Sequence, residues 1–247
     1  MTKAYYNEFD PKAAAWLREL IKEGHITDGI VDERSIADVE PADLVGFERV
    51  HFFAGVGGWD FALSLADWSG PAWTGSAPCQ PFSEAGRRKG FNDSRHLWPE
   101  FFRLIRECRP SVVFGEQVER AVKHGWLDLV CDDLEREGYA VGAHVLPACS
   151  VDAPHIRARL WWVADLIGER LPNGQRCSQV GEGDGDRSAV VGSRQAGQSD
   201  RWPTQPAVGR VVHGVQPGNR VVHGFGNAIV PQVAAAFIEA YVAAARS

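Results

Sequence analysis

A short apolar stretch, Val50-His51-Phe52-Phe53, runs straight into Ala54-Gly55-Val56-Gly57-Gly58, and a helical pattern follows from about Trp59 to Ala66. Three glycines in four positions between a strand and a helix leave few folds open. Glycine reaches backbone conformations closed to other residues and lets a ligand approach the main chain. A helix that starts there presents unpaired N–H groups to an anion. Strand, glycine turn and helix in this order point to an α/β sheet with a ligand at its carboxyl edge. Taken alone the signal is weak, because glycine-rich turns after strands are common.

The same alternation continues to about residue 165 and reads as a parallel α/β sheet. Tyr5 to Phe9, Ile30-Val31, Ala72 to Thr74 and Ser111 to Phe114 are strand-like. Pro11 suits the first turn of a helix through Ala13, Leu17 and Ile21. Ile36 to Leu44 reads as a short helix, Pro99 to Glu107 and Leu127 to Glu137 as longer ones. Tyr139 to Leu146 and Arg159 to Val163 read as a strand pair. The character changes near Leu166. Residues 168–201 are rich in Gly, Ser, Gln, Asp and Arg, a loop composition. A helical pattern returns from Pro231 to Ala244. Two near-copies, Arg210 to Val215 and Arg220 to Phe225, lie too close together for a solenoid repeat and have no functional account.

The 247 residues are 45% hydrophobic and 23% charged, enough for one sizeable core. No apolar run approaches the roughly 20 residues of a membrane span, and the first residues lack a signal peptide's apolar stretch. A cytoplasmic protein is the default expectation. Cysteines 79, 108, 131, 149 and 177 form no CxxC pair, which indicates neither a zinc site nor a disulfide framework, and no metal is expected. The net charge of -6 argues mildly against nucleic acid, but local clusters decide phosphate contacts. Arg87, Arg88, Lys89 and Arg95 form such a cluster, although a run of this kind is more often a solvated loop.

That cluster follows Gly75-Ser76-Ala77-Pro78-Cys79-Gln80-Pro81-Phe82-Ser83, which sets a cysteine between a proline and a glutamine just after a short strand. The placing suits a nucleophile better than core filling. In Ser111 to Val118 a carboxylate, Glu116, stands just beyond a buried strand, where a solvated acid is the plain alternative. In Pro154 to Arg159, strand alternation puts Arg157 and Arg159 on one face, as it would for two surface arginines on an edge strand. Gly226-Asn227-Ala228-Ile229-Val230-Pro231 precedes the last helix, and Gly90 to Trp98 leads into an earlier one.

In their order and spacing these motifs resemble those of cytosine-C5 DNA methyltransferases over roughly four fifths of the chain, small phage-type members in particular. The resemblance implies a Rossmann-like, S-adenosylmethionine-dependent methyltransferase sheet with a short, loop-rich target-recognition segment. It implies a catalytic domain over residues 1–165, target recognition over 166–205, and a C-terminal segment, 206–247, closing the domain. Phe53, Gly55, Gly57 and Gly58 would hold the cofactor, with Pro78, Leu97 and Asn227 beside it. Cys79 would attack cytosine C6, Glu116 would hold N3 and the exocyclic amine, Arg159 would bind O2, and Arg157 would support it. Gln80, Ser83, Arg87, Arg88, Lys89 and Arg95 would contact double-stranded DNA, with the target base flipped out of the stack. A monomer is expected. Two departures stand out: Gln117 replaces the family's asparagine after Glu116, and His155 stands where glutamine is usual.

A third departure concerns order. Phe53 and Cys79 are 26 positions apart, room for one helix and one strand where the family has two more strand–helix units. About 50 residues precede the glycine turn instead. Asn7-Glu8-Phe9-Asp10 resembles the segment whose glutamate binds the cofactor ribose, and Asp32-Glu33-Arg34-Ser35-Ile36 resembles the adenine-binding segment, with Ser35 in place of an aspartate. Residues 1–45 are therefore expected to be two cofactor-binding units moved ahead of the glycine turn. Because right-handed crossovers are nearly obligatory, the helix after the glycine turn is expected on the opposite face from usual. The alternative is an unrelated cap outside the sheet.

Two other functions fit these motifs, an RNA cytosine-C5 methyltransferase and a non-catalytic DNA-binding relative. The intact set of Cys79, Glu116, Arg157 and Arg159 argues against the second. An ordinary Rossmann oxidoreductase is disfavoured by the form of the glycine turn. Residues 168–201 hold few apolar anchors, which implies a target of two to four base pairs read by few side chains.

Overall fold

The computed structural model describes residues 2–78, 97–166 and 228–246. Seven strands form one sheet in the order β2-β1-β3-β4-β5-β7-β6: β1 is Ala4–Asn7, β2 Gly29–Asp32, β3 Arg49–Phe52, β4 Ala72–Gly75, β5 Val112–Val118, β6 Ala140–Pro147 and β7 Ala158–Asp165. Neighbours from β2 to β5 run parallel, whereas β7 is antiparallel to both β5 and β6. The sheet is thus mixed, Rossmann-like in its parallel half, with a single reversed strand. Helices α1 (Pro11–Lys22), α2 (Gly58–Leu65), α3 (Trp98–Cys108), α4 (Trp126–Arg136) and α5 (Pro231–Arg246) cover it.

Local chemistry accounts for the element ends. Asp10 caps α1 by accepting from the Lys12 and Ala13 amides, and Pro11 takes the first helical position. The stretch expected as one helix from Ile36 to Leu44 is instead two 3-10 turns, Ile36–Asp38 and Pro41–Leu44. Pro41 disfavours helical backbone in the preceding residue, and Glu40 is extended at φ −105°, ψ 153°.

Side-chain alternation divides the core between the two faces. Tyr5, Val50, Phe52, Trp73 and Val113 meet Ile36, Leu44, α3 and α4 on one face. On the other, Ala4 and Tyr6 meet Leu17 of α1, while Ala72, Val112, Phe114 and Trp161 meet α2 and α5. This assigns a hand to each parallel connection. The chain steps one way from β1 to β2 with α1 on the second face. It steps the other way from β2 to β3 and from β4 to β5, with the 3-10 turns and α3 on the first face. These three share a hand. From β3 to β4 it steps that other way with α2 on the second face, so β3-α2-β4 has the opposite hand. Parallel sheets strongly favour one hand, and this unit is the exception. The expected switch of face does not occur: α2 shares α1's face, and the hand of the crossover changes instead.

A buried polar cluster ties the exceptional unit together. Asp60 of α2, 0% exposed, accepts from the Thr27 amide at 2.7 Å and from Arg49 Nη1 at 3.0 Å, and its Oδ1 lies 3.3 Å from His51 Nε2. His51 Nδ1 lies 2.8 Å from Thr74 Oγ1 on β4, and Arg49 also donates to the Trp68 carbonyl. Burial alone would push the Asp60 carboxyl up. The contacts from His51, Thr27 and Arg49 outweigh it and hold the carboxyl well below the usual range.

Candidate active site

At the carboxyl ends of β1 and β3 successive connections diverge to opposite sides, one toward β2 and the other toward β4. Such a switch point opens a crevice in an α/β sheet. The residues expected at the ribose and at the glycine turn meet there. Glu8, just past β1, accepts from the Gly55 amide through Oε2 at 2.7 Å and from the Asp10 amide through Oε1 at 2.8 Å. Burial raises the Glu8 carboxyl against these two bonds. Phe9 beside it is 72% exposed.

Phe53 has φ 54°, a left-handed conformation costly for a bulky residue and concentrated at functional sites. Its half-buried ring stands edge-on to Phe101 at 6.2 Å. Gly55 and Gly57 also have positive φ, 56° and 79°. Gly58 is required for a different reason: a Cβ there would lie 2.7 Å from Ile229 Cγ1. The segment before α5 therefore packs directly on the glycine turn.

The adenine-like segment is arranged less openly. Ser35 Oγ caps the first 3-10 turn through the Ala37 amide at 3.3 Å, and Ile36 is 3% exposed within the core. The Asp32 carboxylate is held by the Tyr5 hydroxyl and by Arg34 Nη2 at 2.7 Å. Pro78 is exposed, and Leu97 is half-buried at the start of α3.

A second group lies at the ends of β4, β5 and β7. Glu116 sits inside β5 opposite Trp161, not beyond the strand as the sequence suggested, because pairing with β7 carries β5 on to Val118. Arg159 Nε lies 2.9 Å from Glu116 Oε1. Arg157 donates to the Ala228 carbonyl at 3.0 Å, so it engages the lead-in to α5. β7 is an interior strand, unlike the edge that surface arginines would occupy. Burial pushes the Glu116 carboxyl up, opposed by Arg159, a Ser76 hydrogen bond and Arg157. Gln117 donates from Nε2 to the Ala77 carbonyl at 3.3 Å while its Oε1 accepts from the Val118 amide. The residue that departs from the family's asparagine thus reaches the loop two positions ahead of Cys79. His155 is exposed.

Cys79, Gln80, Ser83, Arg87, Arg88, Lys89, Arg95 and Asn227 lie outside the described residues, as do residues 167–227. Among the described residues no His, Cys, Asp and Glu group could hold a metal, and no helix is long and apolar enough to cross a membrane. Sequence reasoning missed Ser76 and Trp59. Ser76 Oγ accepts from Trp59 Nε1 at 3.0 Å. The signal available was a hydroxyl three positions before the cysteine.

The family described as C-5 cytosine-specific DNA methylase matches residues 71–179. The type II methyltransferase M.AluI of Cellulosimicrobium cellulans is 31% identical over 175 residues, covering 65% of this chain and 33% of that protein. M.HhaI of Haemophilus parahaemolyticus is 37% identical over 90 residues, 35% of this chain and 28% of that one. The chain thus spans about a third of the length of these curated relatives.

Proposed function

We propose that the protein transfers a methyl group from S-adenosylmethionine to C5 of cytosine in DNA, a reading supported by the match of residues 71–179 to the C-5 cytosine-specific DNA methylase family. The observation that carries this reading is the buried Glu116–Arg159 pair at 2.9 Å, set beside the loop that leads into Cys79.

Cytosine C6 is a poor electrophile and C5 a poor nucleophile. A covalent route answers both. The Cys79 thiolate forms a bond to C6, the C5–C6 π pair moves to C5, and the charge on the ring is met at N3 by the proton of Glu116. A carboxyl raised by burial suits that donor role. An ordinary thiol has a pKa of about 8.5 and is a few per cent thiolate at pH 7, so deprotonation is a minor barrier. Stabilising charge on the ring is the larger task. Arg159, aimed at O2, is the fixed cation for it, and Arg157 steadies the same strand end. Once C5 carries the methyl, its proton leaves to water, the C6–sulfur bond breaks and the N3 proton returns to Glu116, which restores the ring, the thiolate and the carboxyl group.

The fit of S-adenosylmethionine rests on the switch point. Glu8 keeps lone pairs for ribose hydroxyls beyond the two backbone bonds it accepts. Phe53 and the exposed Phe9 offer aromatic faces for adenine, Gly55, Gly57 and Gly58 allow close approach, and Leu97, Pro78 and Asn227 flank the crevice. Ser35 and Ile36 have main-chain groups to offer adenine. When bound, the cofactor supplies an electrophilic methyl group.

In this reading β1 and β2 are the family's cofactor-binding units moved ahead of the glycine turn, a view supported by their pairing beside β3. Gln80, Ser83, Arg87, Arg88, Lys89 and Arg95 serve the DNA, and residues 166–205 read a short target. Bisulfite sequencing of plasmid from cells expressing the protein tests the proposal. Protected cytosines in a fixed short context are expected. Plasmid with no protected cytosine, alongside methylated tRNA, would transfer the reaction to RNA.

A further inference from the structure

The first strand ends in a buried amide. Asn7, the last residue of β1, is 3% exposed. Strand alternation puts it on the face of Tyr5, where the 3-10 turns lie. Its Nδ2 donates to the Arg34 carbonyl at 2.9 Å and to the Asp32 carbonyl at 3.3 Å. An amide nitrogen carries two protons, so one side chain can hold both carbonyls. An ionised carboxylate in its place would only accept, and a hydroxyl has a single proton. The Asp32 carbonyl also receives the Glu8 amide at 2.9 Å, so the bond to Arg34 is the one that reaches beyond the strand pair.

Arg34 directly precedes Ser35, which caps the 3-10 turn Ile36–Asp38. Its guanidinium holds the carboxylates of Asp32 and Asp43 at 2.7 and 2.8 Å, so Arg34 is fixed both by its side chain and by its carbonyl. Toward the other side, the Asn7 carbonyl accepts from the Ala54 amide at 3.0 Å. The next residue, Glu8, accepts from the Gly55 amide at 2.7 Å. Asn7 thus grips the adenine-like segment with its side chain and the glycine turn with its main chain, beside the carboxylate assigned to the ribose. We propose that Asn7 is a positioning residue for the adenine end of the cofactor, holding Ser35 and Ile36 in register with Glu8 and the glycine turn. The proposal deepens the S-adenosylmethionine reading and rests on it.

A buried amide can also serve stability alone. The two roles part at the base that the segment meets. Adenine presents a donor at N6 and an acceptor at N1, and hypoxanthine presents the reverse. A segment held to fit one of these edges leaves polar groups unpaired against the other, which is what makes a site discriminate. If Asn7 holds that segment in place, removing its amide lowers the preference for adenine. A role in stability alone leaves the preference intact. The cytosine end of the site is not involved, because Asn7 bonds to neither β5 nor β7.

The experiment is titration calorimetry of the full chain with S-adenosylhomocysteine and with S-inosylhomocysteine, for the native protein and for Asn7→Leu, with steady-state methyl transfer alongside. The native protein should prefer the adenine ligand. Asn7→Leu keeps the shape without the donors. It should bind the adenine ligand about 3- to 10-fold more weakly, the scale of one hydrogen bond, and the inosine ligand within about twofold of native. KM for S-adenosylmethionine should rise by the same factor, while kcat at saturation stays within about twofold. Equal losses for the two ligands overturn the inference, as does a fall in kcat with KM unchanged. So does a native preference for adenine that Asn7→Leu keeps in full. If Asn7→Leu does not fold, Asn7→Ser, with one proton in place of two, gives the same decision. A native protein that binds neither ligand, or both alike, removes the cofactor reading and the inference with it. A preference lost in Asn7→Leu by a protein that methylates nothing keeps the role of Asn7 and removes only the transfer.

Discussion

The Glu8 carboxylate accepts a hydrogen bond from the Gly55 amide at 2.7 Å across 47 residues of chain. That bond joins the end of the first strand to the turn after the third and closes the switch point of the sheet. It makes one side chain both a ligand group and a support for the glycine turn.

Glu8→Ala should therefore weaken S-adenosylmethionine binding by roughly 1.5–3 kcal/mol, the range for losing hydrogen bonds to a charged group. Titration calorimetry on the folded variant measures it. An affinity equal to the native value would remove the ribose role and with it the permuted reading of β1.

Cys79→Ser should abolish methyl transfer and leave cofactor affinity within a few-fold. A serine hydroxyl stays protonated at neutral pH and attacks C6 poorly. Methyl incorporation into DNA and calorimetry on one preparation separate the two effects. Substantial turnover by the serine variant would count against a covalent route.

Glu116→Gln should also abolish transfer, yet leave the fold at least as stable as the native one at neutral pH. Burial raises the Glu116 carboxyl, so the native state holds its proton to higher pH than the unfolded chain, where glutamate titrates at about 4.3. The native protein accordingly loses stability as pH rises through that window. Urea unfolding at several pH values should show the variant gaining on the native protein as pH rises from about 4.

Asp60 has the opposite sign. Its folded carboxyl lies below the ordinary range, so its contribution is present above the unfolded value of about 3.9 and is lost as pH falls. Asp60→Ala leaves Arg49 buried without its carboxylate and should cost roughly 3–5 kcal/mol. Urea unfolding near neutral pH reads the loss. A cost under about 1 kcal/mol, the scale of an exposed pair, would show that the cluster does not hold the crossover.

Much of this was legible in the chain because it is local. The glycine turn, the strand before it and the helix after it are fixed by neighbouring residues, as is the first strand–helix unit with its Asp10 cap and Pro11. Glu116 was found as a residue but set outside its strand, because the antiparallel pairing that extends β5 comes from β7, more than 40 positions later. The helix expected from Ile36 was cut by Pro41, whose effect on Glu40 outweighed the apolar spacing. Asp60 reads as an ordinary exposed acid on a short helix. Its partners, Arg49 and His51 on β3 and Thr27 just before β2, come from two other segments. Ser76 and Trp59 were missed for the same reason, since a hydrogen bond between a helix residue and a residue just past a strand has no period.

The reversed hand of β3-α2-β4 separates the neighbourhood of the strands from the path of the chain. If residues 49–66 were re-encoded ahead of residue 3, α2 would lead from β3 back to β1 while staying on its present face, and the step would match its neighbours in hand. Every strand would keep its present partners, and Glu8 would still reach Gly55. Such a rewired gene should give the same crevice with faster refolding of the β1–β3 region, because those contacts would become closer in sequence.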